Sequence, residues 1–175
     1  MVYKLFGFFG NSYIFPEKFE GMLLKNCRYL VTQDKERRIL EGYDLLIEKN
    51  LIVKIGKDIS TKGHDVIDCS NKIVLPGLIN AHTHIGMQSL RGICDDEELP
   101  TWLKRVVAAE KKLSKQQLQE NATMACREMI NNGITCFMDM YYPMEPIVSA
   151  VQASGMRAIL CPAIYGSFGD EEKQF

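Results

Sequence analysis

From Pro76 onward the chain alternates between short apolar runs and helical patterns, and this alternation limits its fold more than any other feature. Gly77 to His82 reads as a strand end. Leu99 to Lys112 is a helix candidate with Pro100 as its first residue, where the missing N–H of proline costs nothing. Ser114 can cap the next helix, with Gln117 at the capping-box position. That helix carries Leu118, Ala122, Ala125, Met129 and Ile130 on one stripe at the 3.6-residue period. Asn132-Gly133 ends it, because glycine adopts the left-handed conformation without a side-chain clash. Ile134 to Met140 is a compact apolar strand, Pro146 can open a further helix that Gly155 closes, and Arg157 to Cys161 is a third strand. Strand, helix, strand, helix, strand at this spacing implies parallel strands with right-handed crossovers, in a sheet that could be open or closed. No glycine-rich phosphate fingerprint follows a strand, which argues against a dinucleotide-binding fold.

Gly21 to Leu75 has a different texture, of short strands and tight turns. Leu23 to Thr32 reads as one strand, and Asp44 to Glu48 with Leu51 to Ile55 as a hairpin around Lys49-Asn50. Val66 to Asp68 and Ile73 to Leu75 are shorter pieces, and together these segments suggest a small β-sandwich or half of one. The division expected is 1–21 as an extension, 22–75 as the β-rich part and 76–175 as the α/β part. The extension is aromatic, but Gly7, Gly10, Asn11 and Ser12 break the apolar run a signal peptide needs. It reads either as a segment that packs on a partner or as sequence ahead of an ordinary start at Met22.

A net charge of -1, from 21 basic and 22 acidic residues, supplies no attraction to nucleic acid or to an anionic membrane. Six cysteines without a CxxC pair lie inside apolar segments. They read as buried free thiols in a reducing cytoplasm rather than as a disulfide framework. Met124, Met129, Met138, Met140, Met144 and Met156 read as core filler, since thioethers are flexible and apolar.

The stretch with most chemical content is Val74 to Arg91. His82 and His84 are two apart, and on a strand such residues share a face. Two imidazoles at a strand end can chelate one metal ion, with zinc suited to such nitrogen donors. A catalytic metal takes about three protein ligands plus an open position, so the pair is half a site. Two histidines near a turn can equally be surface polar groups. His64, the third histidine, lies in the Lys62-Gly63-His64 turn and reads as a surface residue.

Pro76-Gly77-Leu78-Ile79-Asn80-Ala81-His82-Thr83-His84 resembles the end of the first barrel strand in the amidohydrolase superfamily. Leu90-Arg91-Gly92, Asp95-Asp96, Leu99 and Trp102-Leu103 are similar to a segment of its methylthioadenosine and S-adenosylhomocysteine deaminase branch. So are Gly133 to Tyr141 and Gly155-Met156-Arg157-Ala158, although triazine hydrolases and other aminohydrolases partly share these segments. The resemblance runs from about Met22 to Gly166.

The resemblance implies an α/β fold: an incomplete metal-dependent-hydrolase (β/α)8 TIM barrel preceded by part of a small β-sandwich, with the active site at the C-terminal strand ends. It implies that His82 and His84 bind one divalent ion, usually zinc, together with two later histidines and an aspartate from strand eight. The activity implied is attack of metal-activated water on C6 of an adenosine-type nucleoside, releasing ammonia. A complete barrel takes about 250 residues. No histidine follows His84, so the remaining ligands and the general acid/base are expected beyond Phe175, on a C-terminal portion or a complementary chain. Trp102, Glu110 and Asp139 are the candidates for the substrate pocket. For each a structural alternative stands: lid packing for Trp102, a solvated helix face for Glu110, and a strand-end core position for Asp139. Pro162 falls where the branch carries an arginine, which argues against S-adenosylhomocysteine itself. Two other readings remain: a catalytically incomplete fragment with a structural or interaction role, and a hydrolase of another aromatic amine or halide. Homo-oligomer formation is expected if the barrel half is exposed.

Overall fold

The structure, a computed structural model, describes residues 21–163, which fall into one unit ending at Gly77 and another beginning at Leu78. The aromatic segment 1–20 lies outside the described residues.

The described residues of the first unit form seven strands: β1 (Met22–Cys27), β2 (Tyr29–Val31), β3 (Ile39–Leu40), β4 (Tyr43–Glu48), β5 (Leu51–Gly56), β6 (Asp65–Asp68) and β7 (Ile73–Val74). They form a four-stranded sheet in the order β5-β4-β1-β6 and a three-stranded sheet in the order β3-β2-β7. The expected β4–β5 hairpin is present, with Lys49 at φ 56 in its turn. The single strand expected over Leu23 to Thr32 is instead two strands in different sheets. Asn26 takes a left-handed φ of 54, and the pairing of β1 with β4 shifts register between Leu24 and Cys27. A left-handed residue bends the chain, and here the bend sends it from one sheet to the other.

Asp44 fixes that bend. Its side chain is completely buried, accepts from Asn26 N–H at 2.8 Å and Ile59 N–H at 2.9 Å, and pairs with Lys25 Nζ at 2.7 Å. Leu24, Cys27, Leu30, Leu45, Ile47 and Cys69 make one apolar cluster drawing on both sheets, with Leu40 and Val74 packed against it. His64 departs from expectation. It is half-buried, and its Nδ1 is enclosed without a hydrogen-bond partner among the described residues. The backbone of Gly21 crosses so close that a Cβ there would come within 2.9 Å of that nitrogen.

In the second unit, β8 (Leu78–Thr83), β9 (Ile134–Tyr141) and β10 (Arg157–Pro162) form a wholly parallel sheet in the order β10-β9-β8. A 3₁₀ segment (Ile85–Leu90) and helices α1 (Leu99–Glu110) and α2 (Lys115–Asn131) connect β8 to β9, and α3 (Glu145–Ser154) connects β9 to β10. The expected capping box holds: Gln117 N–H donates to Ser114 Oγ at 3.2 Å, and Ser114 N–H donates to Gln117 Oε1 at 2.9 Å. Gly133 (φ 76) and Gly155 (φ 69) take the left-handed conformation after α2 and α3. Pro100 and Pro146 stand second in their helices rather than first, a position that likewise lacks an intrahelical N–H bond. The Leu118, Ala122, Ala125 and Met129 stripe packs with Phe137, Tyr141, Ile147, Ala150 and Ile85.

Among the described residues of this unit, only one face of the sheet is covered. Phe137, Asp139 and Tyr141 are buried, whereas the alternate Met138 and Met140 are exposed. Met124 is exposed too, so the methionine core expectation holds only for Met129 and Met156, with Met144 half-buried. Among the cysteines, 27, 69, 94 and 126 are buried free thiols, but Cys136 is half-buried and Cys161 exposed. Cys161 pairs in register with Met140, so on parallel strands it shares the uncovered face. No described helix is long and apolar enough to cross a membrane.

Candidate metal centre

The site begins as a departure from regular pairing. Asn80 lies opposite Phe137 but Thr83 lies opposite Asp139, so β8 carries one residue more than β9 between them. A bulge of this kind re-aims side chains and often stands beside an active site. Asn80 Oδ1 fastens it by accepting from His82 N–H at 3.2 Å.

At this strand end the rings of His82 and His84 lie edge to face, with centroids 4.9 Å apart and planes at 83°. His82 is exposed and His84 half-buried. His84 Nδ1 is 2.8 Å from the Met140 carbonyl oxygen. A carbonyl only accepts, so Nδ1 carries a proton, and in the neutral ring Nε2 keeps a lone pair. This is the arrangement that orients a ligating imidazole. The donor set therefore fits a divalent ion of zinc type on one side. Among the described residues no third histidine, cysteine or carboxylate joins the pair.

An open cleft of about 760 Å³ adjoins the histidines and is lined by Asn80, His82, His84, Arg91, Trp102 and Glu128, among others. Trp102 is half-buried in it. Glu110 and Asp139, expected as pocket candidates, are not among the described lining residues. Glu110 closes α1, where its carbonyl accepts from Leu113 N–H at 2.9 Å. Asp139 is fully buried, and its Oδ1 meets the Thr83 hydroxyl at 2.7 Å and Ile85 N–H at 2.8 Å. Burial pushes the Asp139 carboxyl above its usual range, against the opposing effect of the Ile85 and Thr83 hydrogen bonds and the two nearby histidines.

Sequence reasoning missed the cleft's polar wall. Arg91 Nη1 and Nη2 grip Glu128 Oε2 and Oε1 at 3.0 and 3.1 Å, and Gln88 Nε2 donates to Oε2 at 2.6 Å. Arg91 and then Gln88 hold the Glu128 carboxyl below its usual range. The signal available was that Arg91 belongs to the deaminase-like segment; Glu128, off the apolar stripe of α2, gave none.

Residues 73–173, more than half of the chain, match the amidohydrolase family. The chain belongs to that family. This amidohydrolase is 42% identical over 157 residues to a 5-methylthioadenosine/S-adenosylhomocysteine deaminase of Thermococcus sibiricus, covering 88% of this chain and 36% of that protein. It is 38% identical over 152 residues to a 5'-deoxyadenosine deaminase of Methanosarcina barkeri, covering 86% and 35%. The fold superposes on an atrazine chlorohydrolase from Arthrobacter aurescens, complexed with zinc, with TM-score 0.78 and 26% identity over 88% of this chain and 38% of that one. The amidohydrolase chain thus spans about a third of the length of the curated relatives it matches.

Proposed function

We propose that this chain supplies the first two metal ligands, His82 and His84, of an aminohydrolase that removes ammonia from C6 of adenosine-type nucleosides. The observation that carries the reading is the oriented imidazole pair: two rings 4.9 Å apart, one held through Nδ1 by Met140 so that its Nε2 is free. In this reading β8, β9 and β10 are the opening strands of a (β/α)8 barrel. The two sheets of the first unit belong to a small β-sandwich, and the remaining ligands and the general acid/base come from sequence beyond Phe175.

When bound, a divalent ion, zinc by preference, would supply an activated water as nucleophile. The chain's own residues hold and shape. Asn80 and the β8 bulge set the strand end, and Met140 fixes the tautomer of His84. Trp102 offers a flat apolar wall against which a purine can stack, and the Arg91–Glu128–Gln88 group stiffens the rim. The net reaction exchanges the amino group for a carbonyl oxygen from water and releases ammonia. Free thiols support a reducing compartment, which we take to be the cytoplasm.

The test is zinc content and ammonia release by the full-length protein with 5'-deoxyadenosine, methylthioadenosine and S-adenosylhomocysteine. His82→Ala and His84→Ala should each abolish both, and retention of either would remove the assignment. A second reading, hydrolysis of a triazine-type halide or amine, is favoured by the superposition on the chlorohydrolase. Chloride release from a chlorotriazine without ammonia release from any nucleoside would select it.

A further inference from the structure

His84 occupies a backbone conformation, φ -137 and ψ 71, that belongs to neither strand nor helix. It follows the last residue of β8 and precedes the 3₁₀ segment, so a regular ladder does not fix it. Its two neighbours are both tied to one atom. Asp139 Oδ1 meets the Thr83 hydroxyl at 2.7 Å and the Ile85 N–H at 2.8 Å. The residue after Asp139 supplies the carbonyl that meets His84 Nδ1 at 2.8 Å. The Thr83 hydroxyl also meets the Met138 carbonyl at 2.8 Å. Three consecutive residues of β9 thus hold three consecutive residues around the histidine, and Asp139 is the one whose side chain reaches two of them.

We propose that Asp139 is the positioning residue of the metal centre, bridging both neighbours of His84 through one carboxyl oxygen and so fixing the direction of its Nε2. The proposal rests on the metal reading above. A fully buried carboxyl is costly to keep in a core, and this one has its Oδ2 enclosed without a partner among the described residues. A purely packing role would be met as well by an apolar side chain. Ligand-orienting groups of this kind change metal affinity because a misaimed imidazole binds less tightly. Asn121 completes the support from α2, donating to the Gly86 carbonyl at 2.8 Å and to Ser89 Oγ at 2.9 Å.

The test uses Co(II) as probe in the full-length protein, read by its dissociation constant and its visible absorption band. Asp139→Ala should weaken Co(II) binding by about tenfold or more and alter the band. Asp139→Asn retains Oδ1 as an acceptor and should restore affinity to within about threefold of the parent. If thermal melting shows Asp139→Ala unfolded, Thr83→Val is read in its place, because it removes the hydroxyl shared between Asp139 Oδ1 and the Met138 carbonyl and leaves the carboxyl; weakened binding with an altered band is again expected. An unchanged affinity and band in the folded variant overturns the proposal, as does an asparagine variant as defective as the alanine one. His82→Ala separates the two claims: if it binds Co(II) as tightly as the parent, the metal reading itself fails, whatever Asp139 does.

Discussion

The Nδ1 atom of His84 lies 2.8 Å from the carbonyl oxygen of Met140, one strand away and 56 residues along the chain. That contact separates two duties of one side chain, holding the turn and presenting Nε2. An asparagine amide can reproduce the first, because its N–H reaches the region of Nδ1, but has no counterpart to Nε2. His84→Asn should therefore melt within a few degrees of the parent while its zinc content falls towards zero. Elemental analysis after dialysis, beside a thermal melt, checks both. Full zinc occupancy in this variant would show that Nε2 is not a ligand.

Asp44 should govern acid stability in the first unit. Burial alone would raise its carboxyl, but Asn26 N–H, Lys25 Nζ and Ile59 N–H outweigh burial and hold it below its usual 3.8. The unfolded chain then takes up a proton at a higher pH than the folded one. Stability from this group is fully present above the usual carboxylate value and drains away as pH falls through the depressed folded value. Asp44→Ala, which strands two backbone donors and Lys25, should cost about 2–4 kcal/mol at neutral pH. Denaturation curves from pH 7 downward should show a shallower acid loss for Asp44→Asn than for the parent.

These two residues also mark what could be read from sequence. The helix ends were legible because their causes are local: Ser114 and Gln117 are three residues apart, and Gly133 and Gly155 need only their own missing side chains. The β4–β5 hairpin was legible for the same reason. The break in the expected Leu23–Thr32 strand was not, because the acceptor that holds Asn26 in its left-handed conformation is Asp44, 18 residues away. At the site, the spacing of the histidine pair left surface polar groups as an alternative, and the resemblance of Pro76 to His84 to an amidohydrolase strand end singled it out. The extra residue in β8, the Asp139 bridge and the Arg91–Glu128 grip depend on partners 37 to 57 residues distant, and no short window of sequence contains them.

Gly86 should resist even the smallest enlargement. A Cβ there would meet the Tyr141 ring at 2.5 Å, and Tyr141 is buried against the α2–α3 core with no room to withdraw. Gly86→Ala should cost about 1–3 kcal/mol, the usual penalty for overpacking. A paired Gly86→Ala, Tyr141→Leu variant, which removes the obstructing ring edge, should lose less than the sum of the single changes. Denaturant titration of the three variants reads the coupling, and strict additivity would mean that the two residues do not collide.

The isolated 175-residue chain should associate with itself. Met138 and Ile159 pair in register across β9 and β10 on the uncovered face and are 41% and 56% exposed, and Ile79 on β8 is 73% exposed. An apolar surface laid out on a parallel sheet whose two outer strands have no further partner among the described residues is a template for further pairing or burial. Size exclusion with light scattering should give an oligomer or aggregate whose mass grows with concentration. Met138→Thr with Ile159→Thr makes the central rung polar while keeping a β-branched residue suited to a strand, so the mass should fall towards that of one chain. A parent chain that stays monomeric across the concentration range and unfolds cooperatively would overturn the prediction.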